Sequence, residues 1–315
     1  MVIVHMGLPK TGTTSLQVAM TKNSTLLASA GVNYVRAAPA VNANDWFKHL
    51  RPRHLRKLSQ QEIEQRVQQT RDTVLSNIAA DGTTMLSAEG LYSINPELLA
   101  RIFAGHECRF VAYIRDELNF LASSYAQVVH ASPTPPMLAD FMEARSANHL
   151  GRFLKKSYDA LGDKFVPRIF NREQLKGGDI VEDFFYYFFP SLNVDLDLSD
   201  KTDQNPSLTD EVVAFKLKLA VEKPQMAPRT PGRYAALVSL SKYFGQPFRL
   251  PRDPYEELVA FYHESQKQWA YDFFGRASVF DYHDYPFTDR VLDDVLPERL
   301  FGEMLRTYEE LLEQD

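Results

Sequence analysis

One loop near the N-terminus constrains the fold of this chain more than any other feature of its sequence. The apolar run Val2 to Met6 leads directly into Gly7-Leu-Pro-Lys-Thr-Gly12-Thr-Thr-Ser15, as expected of a buried strand that enters a tight turn. A helix should follow from Thr13 to about Ala30. The backbone N–H groups of such a loop and the N-terminus of the helix point at a common centre, where they favour an anion. The sequence therefore predicts a strand–loop–helix unit that holds a phosphate-like group.

The loop differs from that of nucleoside triphosphatases at its lysine. In those proteins the motif Gly-x-x-x-x-Gly-Lys-Ser/Thr places a lysine directly after the second glycine. Here Thr13 follows Gly12, and the lysine lies inside the loop as Lys10. An ordinary strand-to-helix turn is the structural alternative. A P-loop kinase or triphosphatase, which would need Mg²⁺ ligands, is a functional alternative.

Further strand-like segments recur along the first part of the chain. Each is short, apolar or β-branched, and is followed by polar or helical sequence; they are Thr83 to Ala88, Arg109 to Ile114 and Phe165 to Phe170. This alternation is typical of parallel strands with helices between them. The expected fold class is α/β, with a P-loop-like, doubly wound parallel sheet flanked by helices.

The rest of the sequence is mainly helical. Ser59, with Glu62 three residues later, gives a capping-box signal for a polar helix that ends near Ala79. Helical patterns fill the C-terminal third, at residues 208–221, 230–244, 254–271 and 296–313. A chain of 315 residues could form one large domain or two smaller ones. We expect one domain over residues 1–315, with a nucleotide-binding core of about 1–190 and a helical cap of about 205–315.

Composition indicates a compartment and excludes some partners. Apolar residues make up 44% and charged residues 24%, as in water-soluble globular proteins. The formal net charge of −6 disfavours nucleic acid and anionic membranes as partners of the whole protein. The single cysteine, Cys108, lies in an apolar run and is expected to be a buried, inert thiol. With no basic leader and no span of about 20 apolar residues, we expect a cytoplasmic protein without a transmembrane segment.

A local cluster of cations stands out in this acidic chain, formed by Lys48, Arg51, Arg53, Arg56 and Lys57. Charge runs of this kind usually form a solvated surface. The alternative is a position next to an anionic ligand.

The N-terminal loop resembles the 5'-phosphosulfate loop of sulfotransferases that depend on 3'-phosphoadenosine 5'-phosphosulfate (PAPS). The loop of that family reads Pro-Lys-x-Gly-Thr-Thr/Ser, as Pro9-Lys-Thr-Gly-Thr-Thr14 does here. A second similarity is a strand that ends in arginine and is followed eight residues later by serine, here Arg115 and Ser123. The sequence departs from the family's Arg-Asp/Asn-Pro-x-x-Arg at Glu117 and Phe120. The resemblance covers roughly the first two-thirds of the chain.

The resemblance implies PAPS as the sulfuryl donor, adenosine 3',5'-bisphosphate (PAP) as the product, and no metal ion. Lys10 would offset the charge that develops on the departing phosphate oxygen. Loop amides and hydroxyls would hold the 5'-phosphate, while Arg115 and Ser123 would hold the 3'-phosphate. The implied donor-binding set is Lys10, Thr11, Gly12, Thr13, Thr14, Ser15, Arg115 and Ser123.

Weaker similarities to bacterial members of the family lie further along the chain. They are Asn171-Arg-Glu-Gln-Leu175 with Gly177-Gly-Asp179, and Asn205-Pro-Ser-Leu208 at the start of a helix. Gly275-Arg276 is a candidate for a late loop that closes on the nucleotide.

Two residues are candidates for the base that takes the proton of the acceptor. Glu89 follows a strand-like run, at the edge where open α/β sheets bind ligands, and its position resembles that of the catalytic Glu in carbohydrate-type sulfotransferases. A desolvated carboxylate there could accept a proton near neutral pH. His130, beyond Ser123, is the rival candidate.

The sequence does not identify the acceptor. A sugar, a lipid, a peptide tyrosine and a small phenol are all compatible with it, and the resemblance favours a carbohydrate. It also leaves the oligomeric state undetermined. A protein that has kept the fold and nucleotide binding but lost turnover is the remaining functional alternative.

Overall fold

Five parallel strands form the sheet of the part of the chain that the structure describes. The structure is a computed structural model and describes residues 1–145, 149–190, 192, 196–197, 208–290, 292 and 294–313. The strands are β1 (Val2–His5), β2 (Val32–Val35), β3 (Thr83–Ser87), β4 (Cys108–Ile114) and β5 (Phe165–Ile169). Their order is β2-β3-β1-β4-β5, and every pairing is parallel. The expected α/β class, with a parallel sheet flanked by helices and a helical C-terminal region, is confirmed.

Helices connect the strands and make up the C-terminal region. In chain order they are α1 (Thr13–Lys22), α2 (Ser24–Ser29), α3 (Asn44–Phe47), α4 (Pro52–Leu55), α5 (Gln60–Leu75), α6 (Pro96–Ile102), α7 (Glu117–Ala131), α8 (Leu138–Arg145), α9 (His149–Leu161), α10 (Ile180–Phe188), α11 (Asp210–Glu222), α12 (Pro231–Leu240), α13 (Arg252–Tyr255), α14 (Glu257–Phe274) and α15 (Glu298–Glu313).

Strand β1 lies at the point where the chain changes direction across the sheet. The strands β2 and β3 lie on one side of it, and β4 and β5 on the other. His5, at the end of β1, is level with Ser87 of β3 and Val111 of β4, so the loops that follow these three strands begin at one edge. Open parallel sheets bind ligands at this edge, next to such a switch point.

Two local features differ from the expectations. The helix expected from Thr13 to about Ala30 is interrupted at Asn23, whose side-chain amide donates to the carbonyl of Ala19 at 2.9 Å. Local bonds of this kind compete with the helical pattern. The edge strand β2 was not expected, because a four-residue segment with an asparagine carries little strand signal. The capping box of α5 is present as expected, although the helix ends at Leu75.

Helix α1 is fixed by apolar packing against the sheet. Its side chains Leu16 and Met20 are fully buried in one cluster with Ile3 of β1, Val111 of β4 and Phe184 of α10. Burial of each such side chain contributes about 1.5–3 kcal/mol. This packing sets the axis of α1 and therefore the direction of the N–H groups at its first turn.

The described residues fall into two compact units. The first comprises Met1–Arg115 and His149–Gln204, and the second comprises Asp116–Asn148 and Asn205–Asp315. The whole sheet belongs to the first unit, whereas the second is built of helices in which α7 packs on α11 and α12 on α15. The single sulfotransferase domain expected from the sequence stays a prediction. No described helix is both long and apolar enough to cross a membrane.

Candidate functional site

The loop between β1 and α1 has a strained backbone at its lysine. Lys10 has φ of 63°, and among the described residues it is the only non-glycine residue with a positive φ. The left-handed region costs such a residue about 1–2 kcal/mol. Strain of this kind persists only where the surrounding structure imposes it, and it is concentrated at functional sites.

Two threonine hydroxyls close the loop on itself. Thr11 Oγ1 donates to the carbonyl of Leu8 at 2.9 Å, and Thr13 Oγ1 donates to the same carbonyl at 3.2 Å. Both threonines are buried. Because both hydroxyls donate to a carbonyl of the loop itself, the two threonines would bind an anion through their backbone N–H groups. Thr14 and Ser15 follow in the first turn of α1 and are half-buried.

Gly12 is required by both its conformation and its surroundings. Its φ of 69° is left-handed, and a Cβ at this position would lie 2.9 Å from Cγ2 of Ile180 in α10 and 3.2 Å from the ring of Phe170. The first hydrogen bond of α1 runs from the N–H of Leu16 to the carbonyl of Gly12 at 3.2 Å. The N–H groups of the turn before it have no acceptor within the helix, which is the geometry of an anion cradle.

Gly7 allows the turn after β3 to approach the loop. A Cβ at Gly7 would lie 3.0 Å from the carbonyl oxygen of Ala88 and 3.0 Å from Cα of Glu89. The N–H of Gly90 donates to the carbonyl of Gly7 at 3.3 Å. Glu89 is thereby held beside the loop that carries Lys10, and its side chain is exposed to solvent rather than desolvated as the sequence led us to expect.

Lys10 lies between a cation and a carboxylate. Nη1 of Arg115 donates to the backbone carbonyl of Lys10 at 3.2 Å. Burial and the Arg115 charge lower the pKa of the Lys10 ammonium, and the charge of Glu89 opposes that shift. The structure therefore brings together three predicted site residues, each from the loop or turn after a different central strand.

Ser123 and His130 belong to the second unit. Ser123 lies on α7 and donates its hydroxyl to the carbonyl of Asn119 at 2.8 Å. His130 is only 7% exposed, and its ring lies 4.2 Å from that of Tyr234. This burial gives His130 a packing role in its own unit. The pairing of Arg115 with Ser123 stays a prediction.

The weaker sequence similarities have structural roles where they are described. Asp179 caps α10, because its carboxylate accepts from the N–H groups of Val181 at 2.8 Å and Glu182 at 3.1 Å. Gly275 ends α14 with φ of 62°. The segment Asn205-Pro-Ser lies outside the described residues.

A chain of buried polar groups that the sequence did not predict lies below the loop. Nδ1 of His5 lies 2.8 Å from Oγ of Ser87, and Nε2 of Gln17 donates to the same hydroxyl at 3.0 Å. Burial lowers the pKa of His5 to about 3, so the ring is neutral at neutral pH. The available signal was a polar residue at the end of two adjacent buried strands.

A second missed group joins the helix behind the loop to the sheet. The carboxylate of Asp183 on α10 accepts from Tyr113 Oη at 2.7 Å and from Arg168 Nε at 2.8 Å. These residues come from β4 and β5, and their partner lies on a helix. No spacing in the sequence indicates that the three side chains meet.

Comparison with known proteins gives no assignment. No protein-family model matches the chain, and no curated protein matches it significantly.

Proposed function

We propose that this protein is a sulfotransferase that moves a sulfuryl group from PAPS to a hydroxyl or amine of an acceptor by in-line displacement. The observation that carries the proposal is Lys10, held with a positive φ in the loop between β1 and α1 and linked through its carbonyl to Arg115. Two cations and a helix N-terminus converge there. They form a site for a ligand with more than one negative charge.

The residues present fit such a donor. Gly7 and Gly12 let the turn after β3 and helix α10 pack closely on the loop, since a Cβ at either position would meet their atoms at about 3 Å. The N–H groups at the start of α1 would hold the 5'-phosphate. Arg115, with Ser123 as its predicted partner, would hold the 3'-phosphate. PAPS supplies an activated sulfuryl group when it is bound.

Charge stabilisation is assigned to Lys10 and proton transfer to Glu89. A lysine fixed beside the departing oxygen stabilises the charge that grows there, and a preorganised donor needs no reorganisation during reaction. Glu89 lies close enough for its charge to raise the pKa of Lys10, and its exposed side chain can be reached by an acceptor. We favour Glu89 over His130 because His130 is buried. The acceptor class that we favour is a carbohydrate.

Two rival functions remain to be tested against this one. A P-loop kinase would need a lysine after Gly12, where the chain has Thr13. A binding protein without turnover would keep the cradle but would release no PAP from PAPS with any acceptor.

Calorimetric titration tests the proposal directly. The protein should bind PAP more tightly than 5'-AMP, which lacks the 3'-phosphate, and more tightly than ATP with Mg²⁺. Arg115→Ala and Ser123→Ala should abolish the preference for PAP over 5'-AMP. Arg109→Ala is the matched control, because Arg109 is an exposed arginine at the opposite end of the same strand. If ATP with Mg²⁺ binds more tightly than PAP, the protein is a P-loop kinase or triphosphatase rather than a sulfotransferase.

A further inference from the structure

The cluster of cations found in the sequence is attached to the turn that carries Glu89. The cluster lies on residues 48–57, which we call the basic segment. Two buried side chains, Phe47 and Leu50, anchor its start in the core. Nη1 of Arg66 on α5 donates to the carbonyls of His49 at 3.0 Å and His54 at 3.2 Å. The segment is therefore held in place by packing and hydrogen bonds.

Arg51 is the member of the basic segment that reaches the site. Its Nη2 donates to the backbone carbonyl of Glu89 at 2.9 Å. Its guanidinium covers Gly90, where an added Cβ would lie 2.9 Å from Nη2 and 3.1 Å from Cζ. Gly90 has φ of 84°, a left-handed conformation that favours a glycine in this turn. Arg51 is half-buried, while Arg53, Arg56 and Lys57 are exposed.

The charge of Arg51 is not balanced by a carboxylate within the described part of the chain. The Arg51 side chain donates to the backbone carbonyl of Glu89. The carboxylate of Asp45, nearby in the sequence, pairs with Lys48 at 2.9 Å instead. A guanidinium has five N–H donors in a planar fork that fits carboxylate and sulfate groups. Arg51 therefore presents unused donors beside the proposed base, in a protein whose net charge is −6.

We propose that Arg51 binds an anionic group of the acceptor and that the acceptor is an acidic saccharide. This inference rests on the proposed function, because it places the acceptor hydroxyl at Glu89. In an acidic sugar the carboxylate or sulfate is carried on the same ring as the hydroxyls, so one group can bind Arg51 while another faces Glu89. The exposed cations of the basic segment extend this charge along a surface, which suits an elongated anion.

Binding measurements with defined saccharides test the inference. The probes are an oligogalacturonate, which carries carboxylates, a dextran sulfate oligomer, which carries sulfates, and maltoheptaose as the neutral control. Wild-type protein should bind one or both acidic probes and should bind maltoheptaose at least about tenfold more weakly. The acidic probe that binds more tightly shows whether the protein recognises a carboxylate or a sulfate.

Variants separate Arg51 from general electrostatic attraction. Arg51→Gln should weaken binding of the preferred acidic probe about tenfold, Arg51→Lys should restore part of the loss, and binding of PAP should not change. Arg109→Gln removes the same charge from an exposed site at the start of β4, at the edge of the sheet away from the loop of Lys10. It should change the affinity for the acidic probe by less than about twofold.

Several results would overturn the inference. An equal loss in Arg109→Gln would mean diffuse attraction, and equal binding of maltoheptaose would mean that no anion is recognised. Tighter Arg51-dependent binding of an acidic tyrosine peptide or of single-stranded RNA would change the class of acceptor. If acidic saccharides bind through Arg51 but PAP does not bind at all, the saccharide site stands and the proposed donor fails.

Discussion

Lys10 shows how one residue combines strain with a chemical role. Its backbone conformation is one that glycine adopts without cost, yet the position holds a long cationic side chain between Arg115 and Glu89. Natural proteins retain such local violations where function requires them. We therefore expect changes at Lys10 to separate activity from stability.

Removing the ammonium group should suppress turnover and leave the fold intact. Lys10→Ala should lower kcat by on the order of 10²-fold or more, as with other preorganised donors that stabilise developing charge. Lys10→Gly should lower kcat equally. Its free energy of unfolding should stay within about 1 kcal/mol of the wild-type value, because glycine relieves the backbone strain but also gains conformational freedom in the unfolded chain. Urea unfolding and release of PAP measure the two effects. Near-normal kcat in either folded variant would remove Lys10 from the mechanism.

The assignment of the base depends on Glu89 and His130. Glu89→Gln keeps the size of the side chain but cannot take a proton, so it should bind PAP normally, lose most of kcat and lose the acidic limb of the pH–rate profile. His130→Ala should keep that acidic limb and instead destabilise the second unit, because it removes a ring that packs on Tyr234. If the acidic limb disappears with His130 and survives with Gln at position 89, the two roles must be exchanged.

At the scale of elements, α10 supports the loop from behind. Ile180 of this helix contacts the position where a Cβ of Gly12 would be. The helix itself is fixed by Asp183, whose side chain is fully buried and bonds to both β4 and β5. Arg168, one of its partners, also lies 3.4 Å from the ring centre of Tyr187. A carboxylate with these partners connects two strands and a helix at one point.

Breaking this connection should destabilise the first unit more than removing a helix cap does. Asp183→Asn leaves the partly buried Arg168 without its counter-charge and should lower the free energy of unfolding by about 3 kcal/mol. Asp179→Ala, which removes the N-cap of the same helix, should lower it by about 1 kcal/mol. Urea denaturation of both variants gives the comparison. Similar losses in the two variants would show that Asp183 acts only as a helix residue.

At the scale of the whole molecule, the second unit contains a carboxyl group that opposes folding at high pH. Glu117 is 7% exposed, and its Oε2 accepts from Tyr282 Oη. Burial raises the pKa of Glu117 to about 7, against the bond from Tyr282 and with a smaller contribution from Asp116. Tyr262 also lies near this carboxyl group; burial raises the pKa of the tyrosine, and the Glu117 charge adds to the rise.

This shift makes stability depend on pH in a definite direction. The folded state binds the Glu117 proton more tightly than the unfolded state does. The stabilisation that results from this proton is therefore complete below a pH of about 4.5 and is lost as the pH rises through about 7. Compared with Glu117→Gln, the wild type should lose on the order of 3 kcal/mol of unfolding free energy between about pH 4 and about pH 8. Urea unfolding of both proteins at the two pH values measures this difference. A difference independent of pH would show that the carboxyl titrates normally.

The α/β class, the central strands and the loop that joins β1 to α1 can all be predicted from the amino-acid sequence. These features are local, because a strand period, a glycine and a capping box are encoded within a few neighbouring residues. The sequence also placed Lys10, Glu89 and Arg115 after three such strands, and parallel pairing then brings them to one edge.

The folded structure is needed to see which distant side chains meet. Two contacts join residues that are separated in the chain: Arg51 with the Glu89 turn, and Asp183 with Arg168. The burial of Glu117 depends on what packs over it. Burial and partner charges, rather than residue type, determine how such groups ionise and bind. A sequence pattern specifies residue type and spacing, but it does not specify the neighbours that a fold supplies.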